Sequence, residues 1–301
     1  MRLPAMSSAR AIKVAVVGHV EWVEFARVAR MPRPGEIVET HELFAEPAGG
    51  GAVAAVQLAR LCGEATLFTA LGDDELARAA CARLEELGVQ VLAAPRAAPT
   101  RRALTLVDDR EHERTIITLG ERLEPSAEDR ELPWGDLAEM DAIYFTAGDV
   151  GALRAARLAS VLVASPRAWH ALGRGVPLDA LVLSRADAAE RADALHVRQD
   201  ARLIVRTEGS RGGSWFEGER QLGEWRAAEP PGPLVDTYGC GDSFAAGLTC
   251  GLARGLELPA ALNLAARCGA YCLTARGPYG RQLTAAELGS QWNAQRVKGA
   301  A

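Results

Sequence analysis

The stretch D-T-Y-G-C-G-D-S-F-A-A-G-L, residues 236–248, decides the fold of this chain. Gly239 and Gly241 permit backbone conformations that expose successive N–H groups, as in a loop that binds an anion. Apolar residues then recur every fourth position over 244–252, which predicts an amphipathic helix that ends at Gly255. The sequence therefore predicts an anion-binding loop that leads directly into a helix N-terminus.

Asp242 falls in the first turn of that predicted helix. The free N–H groups and the dipole of a helix N-terminus stabilise negative charge. A carboxylate beside such a site can accept the proton of an attacking hydroxyl group. The pattern therefore favours Asp242 as a general base. The alternative interpretation is an aspartate that only caps the helix after an ordinary glycine turn.

The composition of the whole chain narrows the class of protein. Of 301 residues, 49% are hydrophobic and 24% are charged, which suits a large packed core and excludes a disordered or fibrous protein. The net charge is −5 and basic residues form no run longer than a pair, so we expect no nucleic-acid partner. No apolar run is long enough for a membrane span, and the six cysteines form no CxxC motif. We therefore expect a cytoplasmic protein in a reducing compartment.

Strand and helix patterns alternate along most of the chain. Apolar runs that predict strands lie at 12–18, 65–70, 142–146, 161–164, 180–184 and 203–207. Strands that alternate with helices predict a mainly parallel sheet with helices on both faces. Two polar-alternating segments, about 20–45 and 102–119, interrupt this order, and the second contains a hairpin pattern. We expect them to form a small sheet of their own, inserted in a single domain that covers 1–301.

This organisation resembles that of the ribokinase-like, or PfkB, carbohydrate kinases. The resemblance rests on 236–248, on the glycine-rich AGGGAVAAVQLARLC at 48–62, on TALGDDELA at 69–77 and on TEGSRGG at 207–213. It implies a three-layer α/β sandwich with a central, mainly parallel sheet and a small β-sheet lid over the substrate. It also implies that ATP, with Mg²⁺, phosphorylates a hydroxyl group of a sugar-like small molecule, and it allows a monovalent cation.

The resemblance assigns roles to particular residues. It implies Asp242 as the general base and an anion hole formed by Gly239, Cys240 and Gly241. The residues that it places at the nucleotide are Thr207, Gly209, Gly212, Asp236 and Thr237. We expect five residues at the acceptor. They are His19 and Glu21 after the first strand, Gly49 and Gly50 in the glycine-rich segment, and Arg101 at the start of the second lid segment. Asp187 is expected to act on the metal through water.

The chain departs from the family pattern mainly where the acceptor is expected. Val53 stands where the family often has an asparagine that contacts the sugar, and His19 and Glu21 stand where many members have asparagine and aspartate. Ser184 and Asp187 stand where many members have Asn-x-x-Glu. The resemblance therefore predicts the reaction without naming the acceptor.

Several alternatives stay open from the sequence. The acceptor could be a free sugar, a nucleoside, or a molecule that is already phosphorylated and held by Arg101 or Arg102. In another class, the chain could be a non-catalytic sensor of a small ligand that has kept the fold. The exposed edge of a small lid sheet often pairs with a second copy, so a homodimer through the lid is a further expectation.

Overall fold

The computed structural model of the protein describes residues 11–110, 112–187, 190 and 197–289. Its strands are Val14–Val17 (β1), Glu21–Val28 (β2), Glu42–Ala48 (β3), Ala65–Gly72 (β4), Val89–Arg96 (β5), Arg102–Asp108 (β6), Arg114–Leu119 (β7), Ala142–Phe145 (β8), Val161–Ala164 (β9), Leu178–Ser184 (β10), Ala201–Thr207 (β11), Gly213–Glu217 (β12) and Arg220–Trp225 (β13). Among the described residues, the α-helices are Gly50–Cys62 (α1), Glu75–Glu86 (α2), Val150–Ala156 (α3), Cys240–Ala253 (α4) and Leu258–Cys272 (α5). None of these helices is long and apolar enough to cross a membrane.

The main sheet contains nine of these strands, in the order β13-β12-β11-β10-β9-β8-β1-β4-β5. The strands from β11 to β5 in that order run parallel, and every residue of the apolar strands β1 and β8 is buried, as expected at the centre of a parallel sheet. The hairpin β12–β13 adds an antiparallel edge beside β11. The predicted mainly parallel sheet is confirmed, whereas β5 and the edge hairpin were not predicted.

Helices cover both faces of the main sheet. On one face α1, α2, α4 and α5 bury Leu58, Leu84, Leu248 and Leu262 in a common core. On the other face α3 buries Leu153 in a second core. The predicted three-layer α/β sandwich is therefore confirmed.

The small sheet has the order β3-β2-β6-β7, in which β2 and β6 run parallel and the other pairs run antiparallel. The strands β6 and β7 form the hairpin that the sequence predicted. The start of β2 is fixed to the end of the β5–β6 connection, because Trp22 N–H donates to Arg101 O at 2.9 Å. β3 leads directly into Gly49 and α1. The small sheet is thus attached at the carboxyl ends of the parallel strands, which is where α/β sheets bind ligands.

Candidate active site

The glycine loop of the opening stretch sets the direction of α4. Gly239 is the N-cap of α4 and has φ 80° and ψ 0°, a left-handed conformation that favours glycine. A Cβ atom on Gly239 would also lie 2.9 Å from Cγ1 of the buried Val53 in α1. Both the backbone conformation and the packing against α1 therefore require glycine at this position, and the N–H groups of the first turn of α4 are left free.

Asp242 lies in that first turn and does not cap the helix. The N-cap position belongs to Gly239, and no side chain makes a capping hydrogen bond there. Within the described ranges, the Asp242 carboxylate accepts no hydrogen bond from another residue. A partly exposed carboxylate that accepts no hydrogen bond from the protein can take a proton from a ligand.

A gap separates Asp242 from the glycine-rich start of α1. A Cβ atom on Gly50 would lie 3.0 Å from Asp242 Oδ1 and 3.1 Å from Thr146 Oγ1. Thr146 directly follows β8, and its hydroxyl oxygen is buried without a hydrogen-bond partner in the described part of the chain. Gly50 therefore keeps open a narrow space between a threonine hydroxyl and the carboxylate. Thr146 was not among the residues predicted from sequence.

Three charged or titratable side chains line the cleft next to this gap. His19 and Glu21 are only 4% and 8% exposed. Oε1 of Glu21 lies 3.4 Å from His19 Nε2, and Oε2 of Glu21 lies 3.4 Å from Arg101 Nε. A Cβ atom on Gly49 would lie 3.1 Å from Glu21 Cγ, so the glycine-rich segment approaches this carboxylate closely. Gly50 N–H also donates to His19 Nε2 at 3.4 Å, so the structure brings together all five residues predicted at the acceptor.

The charge state of Glu21 follows from its neighbours. Burial alone would raise the pKa of Glu21, but the hydrogen bond and charge of His19 and the charge of Arg101 outweigh burial and hold the pKa below its ordinary value of 4.5. Oε2 of Glu21 and Nδ1 of His19 are buried without a hydrogen-bond partner among the described residues. Buried polar atoms are nearly always paired, so these atoms are candidates for hydrogen bonds to a ligand.

The structure adds two residues that the sequence did not suggest, Arg167 after β9 and Glu190. Arg167 Nε donates to Glu190 Oε1 at 3.1 Å, and Ser184 N–H donates to Glu190 Oε2 at 2.7 Å. Burial opposes the charge of Arg167, but the carboxylates of Asp242 and Glu190 outweigh it and raise the pKa of the guanidinium. The charges of Arg167 and Asp242 therefore act on each other. The signal in the sequence that could have found Arg167 is a basic residue just after a predicted parallel strand.

Asp187 and Glu190 are neighbouring acidic side chains, and the charges of Arg167 and Asp242 act on Glu190. Asp187 Oδ1 accepts the N–H of Glu190 at 3.4 Å, and burial raises the pKa of Glu190. The described residues contain no group of three or more histidine, cysteine or acidic side chains close enough to hold a metal by themselves. Mg²⁺ in kinases is usually held by one or two carboxylates, water and the substrate phosphates. These two carboxylates fit that mode, and the expected action of Asp187 on a metal through water stays a prediction.

The predicted nucleotide turn follows β11. Gly209 and Gly212 have φ values of 59° and 90°. A Cβ atom on Gly212 would lie 2.1 Å from Trp225 O, so this glycine is required for the close approach of β13. Thr207 Oγ1 donates to Leu183 O at 3.4 Å. Thr207 ends β11 and the two glycines follow it, so they lie at the carboxyl edge of the sheet, and their contact with the nucleotide stays a prediction.

Asp236 and Thr237 lie at the start of the glycine loop but have partners in the protein. Asp236 is 1% exposed, and its carboxylate accepts the N–H groups of Tyr238 at 2.8 Å and of Gly277 at 3.0 Å. Thr237 Oγ1 accepts a hydrogen bond from Arg114 Nη1 at 2.9 Å. The Asp236 carboxylate therefore fixes the shape of the loop, and Thr237 connects the loop to the small sheet.

The two arginines that open the second lid segment point to different places. The side chain of Arg101 is 16% exposed and faces Glu21 in the cleft. The side chain of Arg102 is 48% exposed and its Nη2 lies 2.6 Å from Glu24 Oε1. Arg102 is thus paired on the outer surface, and only Arg101 lies at the cleft.

A mainly parallel sheet, a small sheet over its carboxyl edge and a carboxylate at a helix N-terminus place the protein in the ribokinase-like class of α/β folds. The structure of ribokinase from Arabidopsis thaliana, complexed with ribose and ATP, is similar to this chain, with a TM-score of 0.71 and 17% identity over 97% of this chain and 100% of that chain. The sequence profile of the pfkB family carbohydrate kinases matches residues 11–169 and 174–285 of the chain. The chain belongs to the pfkB family.

Two curated relatives match parts of the chain. Acarbose 7(IV)-phosphotransferase from Actinoplanes sp. is 40% identical over 78 residues, which are 26% of this chain and 26% of that protein. Fructoselysine 6-kinase from Escherichia coli is 34% identical over 83 residues, which are 28% of this chain and 31% of that protein. The match thus spans less than a third of either relative.

Proposed function

We propose that the protein is an ATP-dependent kinase that phosphorylates a hydroxyl group of a sugar or sugar-like molecule. The observation that carries the proposal is the free carboxylate of Asp242, which lies in the first turn of α4 and opens onto the gap at Gly50. Family membership supports a phosphoryl transfer, and the loop and helix supply the electrostatics that such a transfer needs.

In this mechanism, Asp242 accepts the proton of the acceptor hydroxyl as the oxygen attacks the γ-phosphorus of ATP. The backbone N–H groups at Gly239, Cys240 and Gly241 stabilise the charge on the transferred phosphoryl group. Asp187 would hold Mg²⁺ through water, and the metal would supply positive charge that offsets part of the phosphate charge. Thr207, Gly209 and Gly212 are proposed to border the nucleotide.

The acceptor half of the cleft favours an uncharged, hydroxyl-rich acceptor. Glu21 is ionised and already paired with Arg101, so Arg101 is not a free cation for a second phosphate. Arg102 is paired with Glu24 on the outer surface. The names of the partial relatives, which refer to acarbose and fructoselysine, also support a sugar-like acceptor. A substrate that is already phosphorylated has no such support.

The small sheet is proposed to close over the acceptor and exclude water, so that ATP is not hydrolysed. The chain would then act as one kinase unit with the small sheet as its lid. Its edge strands β3 and β7 carry exposed apolar residues, among them Leu43 and Ile117. Pairing of two copies through these edges, like a requirement for a monovalent cation, stays a prediction.

The test is ATP consumption with a panel of free sugars, glycosides, amino-acid-linked sugars, nucleosides and sugar phosphates. We expect ADP formation that depends on one class of unphosphorylated, sugar-like acceptor. ADP formation only with nucleosides or only with sugar phosphates would show that the acceptor belongs to that class instead. Tight binding of a panel member without any ADP formation would instead identify a non-catalytic sensor.

A further inference from the structure

Arg114, the first residue of β7, crosses from the small sheet to the anion loop of the main domain. Its Nη1 donates to Thr237 Oγ1 at 2.9 Å, and its guanidinium carbon lies 5.9 Å from the ring centroid of Tyr238. The pKa of the Cys240 thiol is raised by its hydrogen bond with Cys272 and by burial, and the charge of Arg114 acts against this rise. A cation borne by the small sheet therefore reaches the loop that ends in Asp242.

Arg114 also differs from other arginines of the small sheet in what it is paired with. Arg27 forms an ion pair with Asp109 at 2.6 Å, and Arg102 forms one with Glu24 at 2.6 Å. Arg101, just before β6, forms an ion pair with Glu21 at 3.4 Å. Arg114 has no carboxylate within 4.0 Å among the residues that the structure describes, and the only hydrogen bond of its guanidinium there is to a neutral hydroxyl. A partly buried cation without an anionic partner is unfavourable unless an anion arrives.

The chemistry of the guanidinium indicates which anion this is. Its remaining N–H groups form a planar fork that matches phosphate oxygens. Thr237 lies two residues before Gly239, the N-cap of α4, where the transferred phosphoryl group is proposed to bind. The nearest anion that the proposed reaction brings to this loop is therefore the triphosphate of ATP.

We propose that Arg114 is a further catalytic residue, which binds the phosphate chain of the nucleotide from the small sheet and stabilises the phosphoryl group during transfer. This inference rests on the proposed function. In the step, the acceptor oxygen forms a bond to the γ-phosphorus and the bond from that phosphorus to the β–γ bridging oxygen breaks. The proton goes to Asp242, the electron pair leaves with ADP, and Arg114 keeps its proton throughout.

The position of Arg114 links transfer to closure of the small sheet. The cation reaches the loop only while β7 lies against it, so the site is complete only when the acceptor is covered. An enzyme built in this way transfers its phosphoryl group in the closed state and hydrolyses little ATP in the open state.

The experiment compares Arg114→Gln and Arg114→Lys with the control Arg102→Gln, a surface arginine on the neighbouring strand. Binding of inorganic tripolyphosphate, which lacks base and sugar, is measured by calorimetry over a range of salt concentrations. We expect Arg114→Gln to weaken binding about tenfold and to reduce its salt dependence, with Arg114→Lys intermediate and Arg102→Gln unchanged. With an acceptor from the panel, Arg114→Gln should lower kcat about 100-fold and leave the acceptor KM within about threefold.

Equal tripolyphosphate affinities for Arg114→Gln, Arg102→Gln and the parent protein would overturn the inference. If Arg114→Gln does not fold, the charge-conserving Arg114→Lys decides, because loss of the planar fork should still lower kcat about tenfold. If the parent protein forms ADP with no acceptor, the proposed function fails, while the tripolyphosphate comparison still decides whether Arg114 binds phosphate.

Discussion

The two halves of the cleft are built from different kinds of interaction. The half proposed for phosphoryl transfer, around 236–242, consists of backbone N–H groups whose direction is set by Gly239 and its packing against Val53. The acceptor half depends on side-chain charges, in which Glu21 lies between His19 and Arg101. A backbone site tolerates changes in its side chains, whereas a side-chain site changes its ligand with each substitution. Under the proposed function, the reaction and the acceptor are therefore determined by separate parts of the molecule.

The largest effect that separates the two halves is expected for Asp242→Asn. The amide cannot accept the acceptor proton, so kcat should fall about 1,000-fold, while the affinity for ATP stays within about threefold. Rapid-quench assays of phosphoryl transfer and calorimetry with ATP measure the two quantities. Turnover within about tenfold of the parent protein would remove Asp242 as the base.

Gly50→Ala lies at the boundary between the halves and should have the next largest effect. Its methyl group would lie 3.0 Å from Asp242 Oδ1 and 3.1 Å from Thr146 Oγ1, in the space proposed for the acceptor hydroxyl. We expect kcat/KM for the acceptor to fall about 100-fold, with ATP affinity nearly unchanged. The control is Gly135→Ala, where a Cβ atom meets nothing within 4 Å. Unchanged acceptor kinetics in Gly50→Ala would show that the acceptor does not bind beside Gly50.

Glu21→Gln should affect the acceptor half alone. The neutral amide keeps the shape but loses the ion pair with Arg101 and the strongest acceptor in the pocket, so the acceptor KM should rise about tenfold. The KM for ATP should stay within about twofold of the parent value. Glu24→Gln, on the outer surface beside Arg102, is the matched control. If both KM values change together, the two halves are not separate.

The smallest expected effect is on stability at acid pH. The folded state lowers the pKa of Glu21 below its ordinary value of 4.5, so below that value the unfolded state binds more protons. The stabilisation from ionised Glu21 is therefore complete above pH 4.5 and is lost as the pH falls further. Denaturant titrations should show a steeper loss of the free energy of unfolding in the parent protein than in Glu21→Gln. Parallel pH profiles for the two proteins would contradict the ionised state.

The same contrast explains how much the sequence predicted. Glycine spacing and the periodicity after it are local, so the loop before α4, the end of α4 at Gly255 and the three-layer fold were predicted correctly. The hairpin β12–β13 was not predicted, because it depends on the approach of Trp225 to Gly212, which is a tertiary contact.

The side chains that sequence reasoning missed are held by partners that are distant in the chain. Arg167 pairs with Glu190, and Arg114 of the small sheet donates a hydrogen bond to Thr237 in the glycine loop. No local pattern records such pairs. The predicted roles of the acceptor residues also stay predictions, since the placement of Glu21 beside Arg101 shows proximity and not a ligand.

The fate of the γ-phosphate of ATP in a single turnover with the best acceptor of the panel decides whether the protein is a kinase with Asp242 as its base. With ATP labelled at the γ-phosphate, we expect the label to appear as a phosphate ester of the acceptor, in amounts equal to the ADP formed. In Asp242→Asn the label should stay in ATP on the same time scale. Label released as inorganic phosphate, or ADP formed without a phosphorylated acceptor, would contradict a kinase whose base is Asp242.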